Sequence, residues 1–465
     1  MAARYADRNA VVLGLGLTGF SLARYLAAQG ARVRVADTRP APPFAAQLAA
    51  ALPRVPLATG PLSDATFVDA ELIAISPGVA KDHAAIAAAV TRGVELVGDI
   101  ELFARALPAG QKVLAVTGSN GKTTVTALTG ALCSAAGLAT TVAGNIGAAV
   151  LDVLATLDPA DGGGGWPDVI VLELSSFQLE TTSSLRPTAA AVLNVTDNHL
   201  DRYADIDAYA AAKQRIFAGI GVQVLNRDDP RSMAMRVEGR ILETFGADVP
   251  FGEGEWGLVA RRADGGDVWL ARGGALLAPV ADLALIGRHN ALNALAALAL
   301  VSTVAKVSRP VLAALAQFEG LPHRMQRIAD EGGVLYIDDS KATTVAATRV
   351  ALDGLDRPTV LIAGGDGKGQ DFAPLKASVD RRCRAVLLIG RDAPRLRGAL
   401  AGSPVIVETP GTLDAAVARA MTLAREGDAV VLSPACASLD QFANYVERGE
   451  RFAQQVRSRF IEAAT

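Results

Sequence analysis

The chain has 465 residues, 51% of them hydrophobic and 20% charged, with a net charge of −3. That composition supports substantial buried cores and excludes global disorder, and at roughly 150 residues per domain the length suits about three domains. No long basic run is present, and RRCR at 381–384 reads as the solvated start of a strand, so a nucleic-acid partner is not expected.

Cys133, Cys383 and Cys436 stand at unrelated spacings, which excludes a paired disulfide framework and points to a reducing compartment. His83, His199, His289 and His323 are equally scattered, which argues against a zinc cluster. The N-terminal MAARYADRNA lacks a signal-peptide layout. The Ala-rich stretch 291–305 is too short and polar for a membrane span, which needs about 20 apolar residues. A cytoplasmic protein with no membrane insertion is expected.

Apolar β-rich runs alternate with Ala/Leu helical patterns, which predicts α/β domains with mainly parallel sheets. The first run, 10–14, leads into VVLGLGLTGFS (Val11–Ser21), where Gly14, Gly16 and Gly19 spell G-x-G-x-x-G. Asp37 follows a second run at 32–36. This is the signature of a nucleotide-binding βαβ unit, with a helix N-terminus that accepts a diphosphate. It suits the NAD of a dehydrogenase and a UDP-sugar alike. Further strands are predicted at 71–75 and 94–97, with a tight loop at ISPGV (75–79).

A second unit begins near Gln111 with a strand, the loop TGSNGKTT (117–124) and a long helix. Backbone N–H groups of such a loop wrap a polyphosphate, Lys122 brings charge to the outer phosphates, and the Thr123 hydroxyl is a Mg²⁺ ligand. Val116 stands where the full phosphate-loop pattern has its first glycine, and a glycine turn capped by threonine is the plainer alternative. The strand predicted at 168–173 delivers Glu173 to the ligand edge of the sheet, as a Mg²⁺ ligand or as a carboxylate satisfied by loop N–H groups. The next strand, 189–195, leads into NVTDNHLDRY, where His199 is by itself an ordinary loop histidine. Lys213, in DAYAAAKQRIF, reads as a surface lysine on an amphipathic helix. DPADGGGGWPD (158–168) is a turn-rich surface insertion, and 222–280 carries short strands and turns before the helical HNALNALAALALV. After Gly320 a third, doubly wound unit shows strands at 333–337, 359–363, 385–389, 404–407 and 428–432.

TGSNGKTT, VLELSSFQLE, NVTDNHLDRY, HNALNALAAL, GLPHRMQ, DDSKATT, GGDGKGQDF and SPACASLDQF together resemble the Mur ligase family from end to end. GLGLTG, SPGV and VGDIELF further resemble the member that adds D-glutamate to UDP-N-acetylmuramoyl-L-alanine. The resemblance implies an α/β protein of three domains. These are a Rossmann-like UDP-binding domain (1–100), a central P-loop-type ATPase domain (101–320) and a C-terminal Rossmann-like amino-acid-binding domain (321–465). It implies a bacterial, ATP-dependent acid–D-amino-acid ligase, expected as a monomer, working through an acyl phosphate with two Mg²⁺ sites. Gly118, Ser119, Asn120, Gly121, Lys122, Thr123 and Thr124 would hold the ATP phosphates. Asn293 would lie on the adenine side, with Arg324 and Asp339 at the γ-phosphate and ribose. Thr123, Glu173, His199 and a carbamylated Lys213 would ligate metal, with Lys122, His199 and Lys213 as the catalytic set. Leu17, Thr18, Asp37, Thr38, Arg39, Gly78, Asn145 and His199 would bind the UDP substrate, and Thr343, Lys368, Ser438 and Tyr445 the D-glutamate.

Plainer readings stand beside several of these. Asn290 and Asn293 suit the polar flank of a core helix. Ser438 and Gln441 form a capping-box pattern at a helix beginning near Ser438. Tyr445 can be Phe in the family. A dehydrogenase explains only residues 11–37 and leaves the phosphate loop idle. A sibling ligase for a diamino acid would carry a D-N-P-R motif, and a folate ligase would lack the N-terminal domain. A catalytically inert UDP-sugar-binding protein would not need Lys122, Glu173, Lys213 and Lys368 together.

Overall fold

The structure, a computed structural model, describes residues 4–159, 162–196, 202–261 and 267–464. Three sheets organise it. The first holds β1 (Asn9–Leu13), β2 (Arg32–Asp37), β3 (Leu57–Thr59), β4 (Leu72–Ile75) and β5 (Glu95–Val97) in the order β3-β2-β1-β4-β5, every pairing parallel. The strand order reverses between β1 and β4, which opens a crevice at their C-terminal ends.

The second sheet holds β6 (Lys112–Thr117), β7 (Thr140–Gly144), β8 (Val169–Glu173), β9 (Ala189–Val192), β10 (Val222–Asn226), β11 (Leu242–Phe245), β12 (Glu255–Ala260), β13 (Val268–Arg272) and β14 (Ala275–Pro279). Its order is β14-β13-β12-β11-β10-β9-β6-β8-β7, and the pairings from β7 through β12 are parallel. In β6 all but Lys112 is buried, and β8 is buried along its whole length. The third sheet holds β15 (Gln326–Glu331), β16 (Val334–Asp338), β17 (Thr359–Gly364), β18 (Cys383–Ile389), β19 (Ile406–Gly411) and β20 (Ala429–Leu432), ordered β15-β16-β20-β17-β18-β19. It is parallel except for β15, which pairs antiparallel with β16. The predicted strands recur within a few residues, whereas β3, β7 and β15 were not anticipated.

The chain divides into two compact units. One is built on residues up to Val259 with Leu270–Leu277 and Leu295–Leu312, the other on Ala260–Trp269, Ala278–Ala294 and residues from Ala313 onward. Within the former, two carboxylates of VGDIELF pin the short helix Asp99–Ala106 to the segment after β8. Glu101 accepts backbone N–H bonds from Ser183 and Ser184 at 2.6 and 2.8 Å. Burial would raise its pKa, but those bonds hold it at about 2. Asp99 accepts from Gln178 at 3.0 Å and is pushed up to about 6 by burial. Among the described residues, no helix is long and apolar enough to cross a membrane.

Candidate active site

The loop between β6 and the helix Lys122–Ala135 bends through Gly118 (φ +159°) and Gly121 (φ +82°). A side chain at Gly118 would sit 3.0 Å from Leu193 Cβ and 3.3 Å from the Asn194 backbone nitrogen. Asn194, just past β9, staples the loop. Its carbonyl accepts from Ser119 N–H at 2.9 Å, its Oδ1 accepts from Asn120 N–H at 2.8 Å, and its Nδ2 donates to the Asn120 carbonyl at 3.2 Å. Ser119 Oγ accepts from Thr196 N–H at 3.0 Å. The loop is thus held from behind, with Thr123 and Thr124 in the first turn of a helix whose positive dipole end is suited to an anion.

Lys122 Nζ folds onto the loop, donating to the Gly118 carbonyl at 2.8 Å and the Ser119 carbonyl at 3.0 Å. Lys213, at the end of the helix Ile206–Gln214, is 1% exposed and reaches the same Gly118 carbonyl at 3.0 Å. Its Nζ lies 4.3 Å from the centre of the Tyr209 ring. The surface-lysine reading therefore fails, because this side of the helix packs beneath the phosphate loop. Burial, with the charge of Lys122 adding to it, holds the Lys213 pKa well below the usual ammonium range.

Glu173 ends β8 and is 2% exposed. Its Oε1 accepts from Asn145 Nδ2 at 2.9 Å, while Oε2 is buried and has no hydrogen-bond partner among the described residues. An uncompensated carboxylate oxygen costs several kcal/mol in the interior. The four buried apolar side chains of β8 carry it there, each worth about 1.5–3 kcal/mol. Such an oxygen could ligate a divalent cation of hard-oxygen preference. Among the described residues no loop N–H reaches Oε2, as the plainer reading of Glu173 would require. Gly144 makes this geometry possible, since a Cβ there would come within 2.1 Å of the Glu173 carbonyl oxygen. His199 lies outside the described residues.

The crevice of the first sheet is a cavity of about 520 Å³ whose lining includes Gly14, Gly16, Asp37, Thr38, Arg39 and Gly78. Gly14 (φ +81°) and Gly19 allow the turn, since a Cβ on Gly19 would overlap the Gly14 carbonyl oxygen at 1.7 Å. Asp37 is 3% exposed. It accepts from Leu15 N–H at 2.6 Å and from Arg39 Nε and Nη2 at 2.9 and 2.6 Å. The Arg39 guanidinium, more than the other contacts, holds the Asp37 carboxyl at about 2. Asp37 is therefore spent on aiming Arg39, an arrangement unlike the free carboxylate that reads a dinucleotide's ribose. Leu17 and Thr18 open the helix Leu17–Ala28, and Leu17 is exposed.

In the other unit, Asp338 and Asp339 follow one another at the C-terminal end of β16. Asp338 Oδ2 lies 2.7 Å from His323 Nδ1, and Asp339 Oδ1 accepts from Met325 N–H at 3.2 Å. The two aspartates thus hold the residues on either side of Arg324. Asp339 also accepts from Ser433 Oγ at 2.8 Å, and burial pushes its pKa up to about 7. Gln370 Nε2 joins the carbonyls of Thr343, Gly367 and Ala435 at 3.4, 3.0 and 3.2 Å, gathering the loops after β16, β17 and β20. Lys368 is exposed in the middle one, at φ +49°. Arg448, 1% exposed, ties the loops after β16 and β20 to the end of β17, donating to the Ser340, Cys436 and Gly364 carbonyls at 2.8, 3.1 and 3.5 Å. Asn293 Nδ2 donates to Asn290 Oδ1 at 3.0 Å, an in-helix polar pair.

The expectation at Ser438 is corrected. The helix starts at Tyr445, where Asn444 Oδ1 accepts from Val446 and Glu447 N–H at 2.9 and 3.0 Å. Ser438 instead heads a turn that its carbonyl closes, accepting from Gln441 and Phe442 N–H. Gln441 Nε2 donates to the Gly411 carbonyl rather than returning to Ser438. Tyr445 receives Lys341 Nζ over its ring at 3.9 Å. Asn194, Gln370, Arg448 and the His323–Asp338 pair escaped the sequence reading. Only Asn194 had a local signal there, as the first polar residue after an apolar strand.

Three family profiles match successive stretches of the chain. They are the Mur ligase MurD-like N-terminal domain at 8–98, the Mur ligase middle domain at 116–301 and the Mur ligase glutamate ligase domain at 323–436. A UDP-N-acetylmuramoylalanine–D-glutamate ligase of Methylobacillus flagellatus is 54% identical over 97% of both chains. The enzyme of that name from Thiobacillus denitrificans is 52% identical over 98% of this chain and 97% of its own. Among solved structures, the MurF ligase of Thermotoga maritima in complex with ADP superposes with a TM-score of 0.59. It does so at 16% identity, covering 99% of this chain and 97% of its own. The UDP-N-acetylmuramate–alanine ligase of the same organism gives a TM-score of 0.55 at 20% identity, over 97% and 99%. Both agree in fold.

Proposed function

The chain belongs to the Mur ligase family, and from that premise we propose that it is an ATP-dependent ligase joining D-glutamate to UDP-N-acetylmuramoyl-L-alanine in peptidoglycan precursor synthesis. One observation carries the reading. A phosphate loop, a carboxylate with one unpartnered oxygen and a buried amine meet at the C-terminal edge of one sheet.

A carboxylate is a poor electrophile. Transfer of the ATP γ-phosphoryl group to the alanyl carboxylate releases ADP and leaves an acyl phosphate. The D-glutamate amine then attacks the acyl carbon, phosphate departs, and the amine loses its proton. Bringing such anions together is mainly a matter of positioning and charge. The backbone of Gly118–Gly121, with Lys122, Thr123 and Thr124, receives the phosphates. Thr123, Glu173, His199 and a carbamylated Lys213 would hold Mg²⁺, at two sites, and the bound ions would neutralise the phosphate and carboxylate charges. Lys213 suits carbamylation because a buried neutral amine is the nucleophile that CO₂ requires.

Arg39, aimed by Asp37, serves the uridine side with Thr38, while Leu17, Thr18 and Gly78 serve the diphosphate. Asn145 serves both the substrate and Glu173. Arg324 grips the γ-phosphate with its planar fork, with Asp339 at the ribose and Asn293 at the adenine. Thr343, Lys368, Ser438 and Tyr445 take the D-glutamate. We further infer domains at 1–100, 101–320 and 321–465, two Mg²⁺ ions, a monomer and a cytoplasmic site of action. Phosphate release that requires both UDP-N-acetylmuramoyl-L-alanine and D-glutamate is the expected result. Equal turnover with L-glutamate or meso-diaminopimelate would overturn the substrate assignment.

A further inference from the structure

Arg202 has no part in the chemistry above, yet it is committed to one contact set. Its Nη1 donates to the Pro77 carbonyl at 3.0 Å and its Nη2 to the Val79 carbonyl at 2.9 Å. One planar guanidinium therefore grips the peptide on both sides of Gly78, in the turn that follows β4 and lines the crevice. The same group lies 4.2 Å from the centre of the Phe177 ring and 3.8 Å from Glu180 Oε2. Phe177 and Glu180 belong to the segment immediately after β8, whose last residue is Glu173. Lys81, two residues beyond Val79, reaches Glu180 Oε1 at 3.7 Å. The Arg202 side chain is only 18% exposed, so these contacts are partly shielded from solvent.

We propose that Arg202 is a positioning residue. It fixes the distance between the Gly78 turn, on the diphosphate side of the substrate site, and the segment that carries Glu173. The inference rests on the substrate reading above, in which one elongated molecule is anchored at its uridine diphosphate and must present its carboxylate at the phosphate loop. The span between those two groups is set by the substrate's covalent structure, so the protein must match it. An error of about 1 Å in such a register costs on the order of 10²-fold in rate. Arginine fits the task because its fork can donate to two carbonyls while its face stacks on Phe177. Lysine could meet only part of that demand.

The test uses the full-length enzyme, first confirming that wild-type phosphate release needs both UDP-N-acetylmuramoyl-L-alanine and D-glutamate. If it does not, the substrate reading falls, independently of Arg202. If it does, Arg202→Ala should raise the KM for UDP-N-acetylmuramoyl-L-alanine about tenfold or more and lower kcat. The KM for ATP should stay within about twofold, and the Kd of UMP, which spans only the uridine end, within about threefold. Arg202→Lys should recover part of the loss. Unchanged kinetics would overturn the proposal. So would an equal weakening of UMP and of the whole substrate, which would mark a local collapse of the turn. A parallel rise of every KM with a lowered Tm would also overturn it, because it would reduce Arg202 to a general stabiliser.

Discussion

Lys213 Nζ and Lys122 Nζ share a single acceptor, the Gly118 carbonyl, at 3.0 and 2.8 Å. Two lysines converge on one oxygen because the helix that carries Lys213 in its last turn passes beneath the phosphate loop, and both Lys213's burial and its like-charged neighbour favour the neutral amine. Lys213→Ala should therefore lose about 10²-fold or more in kcat, the scale of a missing electrostatic group. Formate or acetate, which can stand where the carbamate oxygens would, should restore part of it. Full activity of the untreated variant would remove Lys213 from the metal site. A base whose pKa falls on folding binds fewer protons folded than unfolded between its two values, so acidification below the ordinary lysine range costs stability. Lys213→Met should flatten that part of the Tm–pH curve.

Glu173 leads to a second expectation, read from Mg²⁺ titrations. Glu173→Gln keeps the Asn145 contact within reach but removes the charge at the unpartnered Oε2. The half-saturating Mg²⁺ concentration should rise steeply and kcat fall by roughly 10²-fold. Asn145→Ala leaves the carboxylate in place but unaimed, and should weaken Mg²⁺ about tenfold, as loss of a ligand's orienting partner does. Identical Mg²⁺ curves for all three proteins would contradict the assignment.

These two sites differ in how far the sequence revealed them. Glu173 was legible because β8 is a short continuous apolar run, and a carboxylate closing such a run is both buried and at the ligand edge of a parallel sheet. Lys213 was not, since the burial of one helix face depends on what packs against it, and here that is a loop ninety-five positions away in sequence. β15 escaped for a related reason: its residues are all exposed or half-exposed and it pairs antiparallel at a sheet edge, so it carries no apolar run. Ser438 misled because S-x-x-Q is a local pattern that a turn can also use. The helix start belongs to Asn444, whose side chain takes the free N–H groups.

Asp339 predicts a pH dependence of stability. Its pKa is about 7 in the folded protein, against 3.8 as its ordinary value, and burial is the main cause. Between those values the folded state keeps a proton that the unfolded state has released, so stability falls as pH rises through the window. The total is a few kcal/mol, at about 1.4 kcal/mol per pKa unit. Asp339→Asn is neutral at every pH. Its Tm relative to wild type should be higher at pH 8 than at pH 5, with the KM for ATP raised if the ionised carboxylate meets the ribose. A Tm difference independent of pH would show that Asp339 titrates normally.

His323 and Met325 hold left-handed backbone, at φ +63° and +49°, on either side of Arg324. Each such non-glycine residue costs on the order of 1–3 kcal/mol and persists only where its surroundings fix it. The fixing contacts are Asp338 on the His323 ring, Asp339 on the Met325 N–H and the Lys341 N–H on the His323 carbonyl at 3.0 Å. Asp338 raises the His323 pKa. The charged pair therefore stabilises the turn below the ordinary histidine value, and that contribution is lost as pH rises through the raised one. His323→Val removes the ring and places a β-branched residue at positive φ, and should raise the KM for ATP about tenfold while leaving that for D-glutamate within about twofold. His323→Asn tolerates the backbone and can still donate to Asp338, so it should stay within about threefold of wild type. Initial rates against ATP concentration decide the matter. If the valine variant keeps the wild-type KM, the turn does not aim Arg324, and the two consecutive aspartates serve the fold alone.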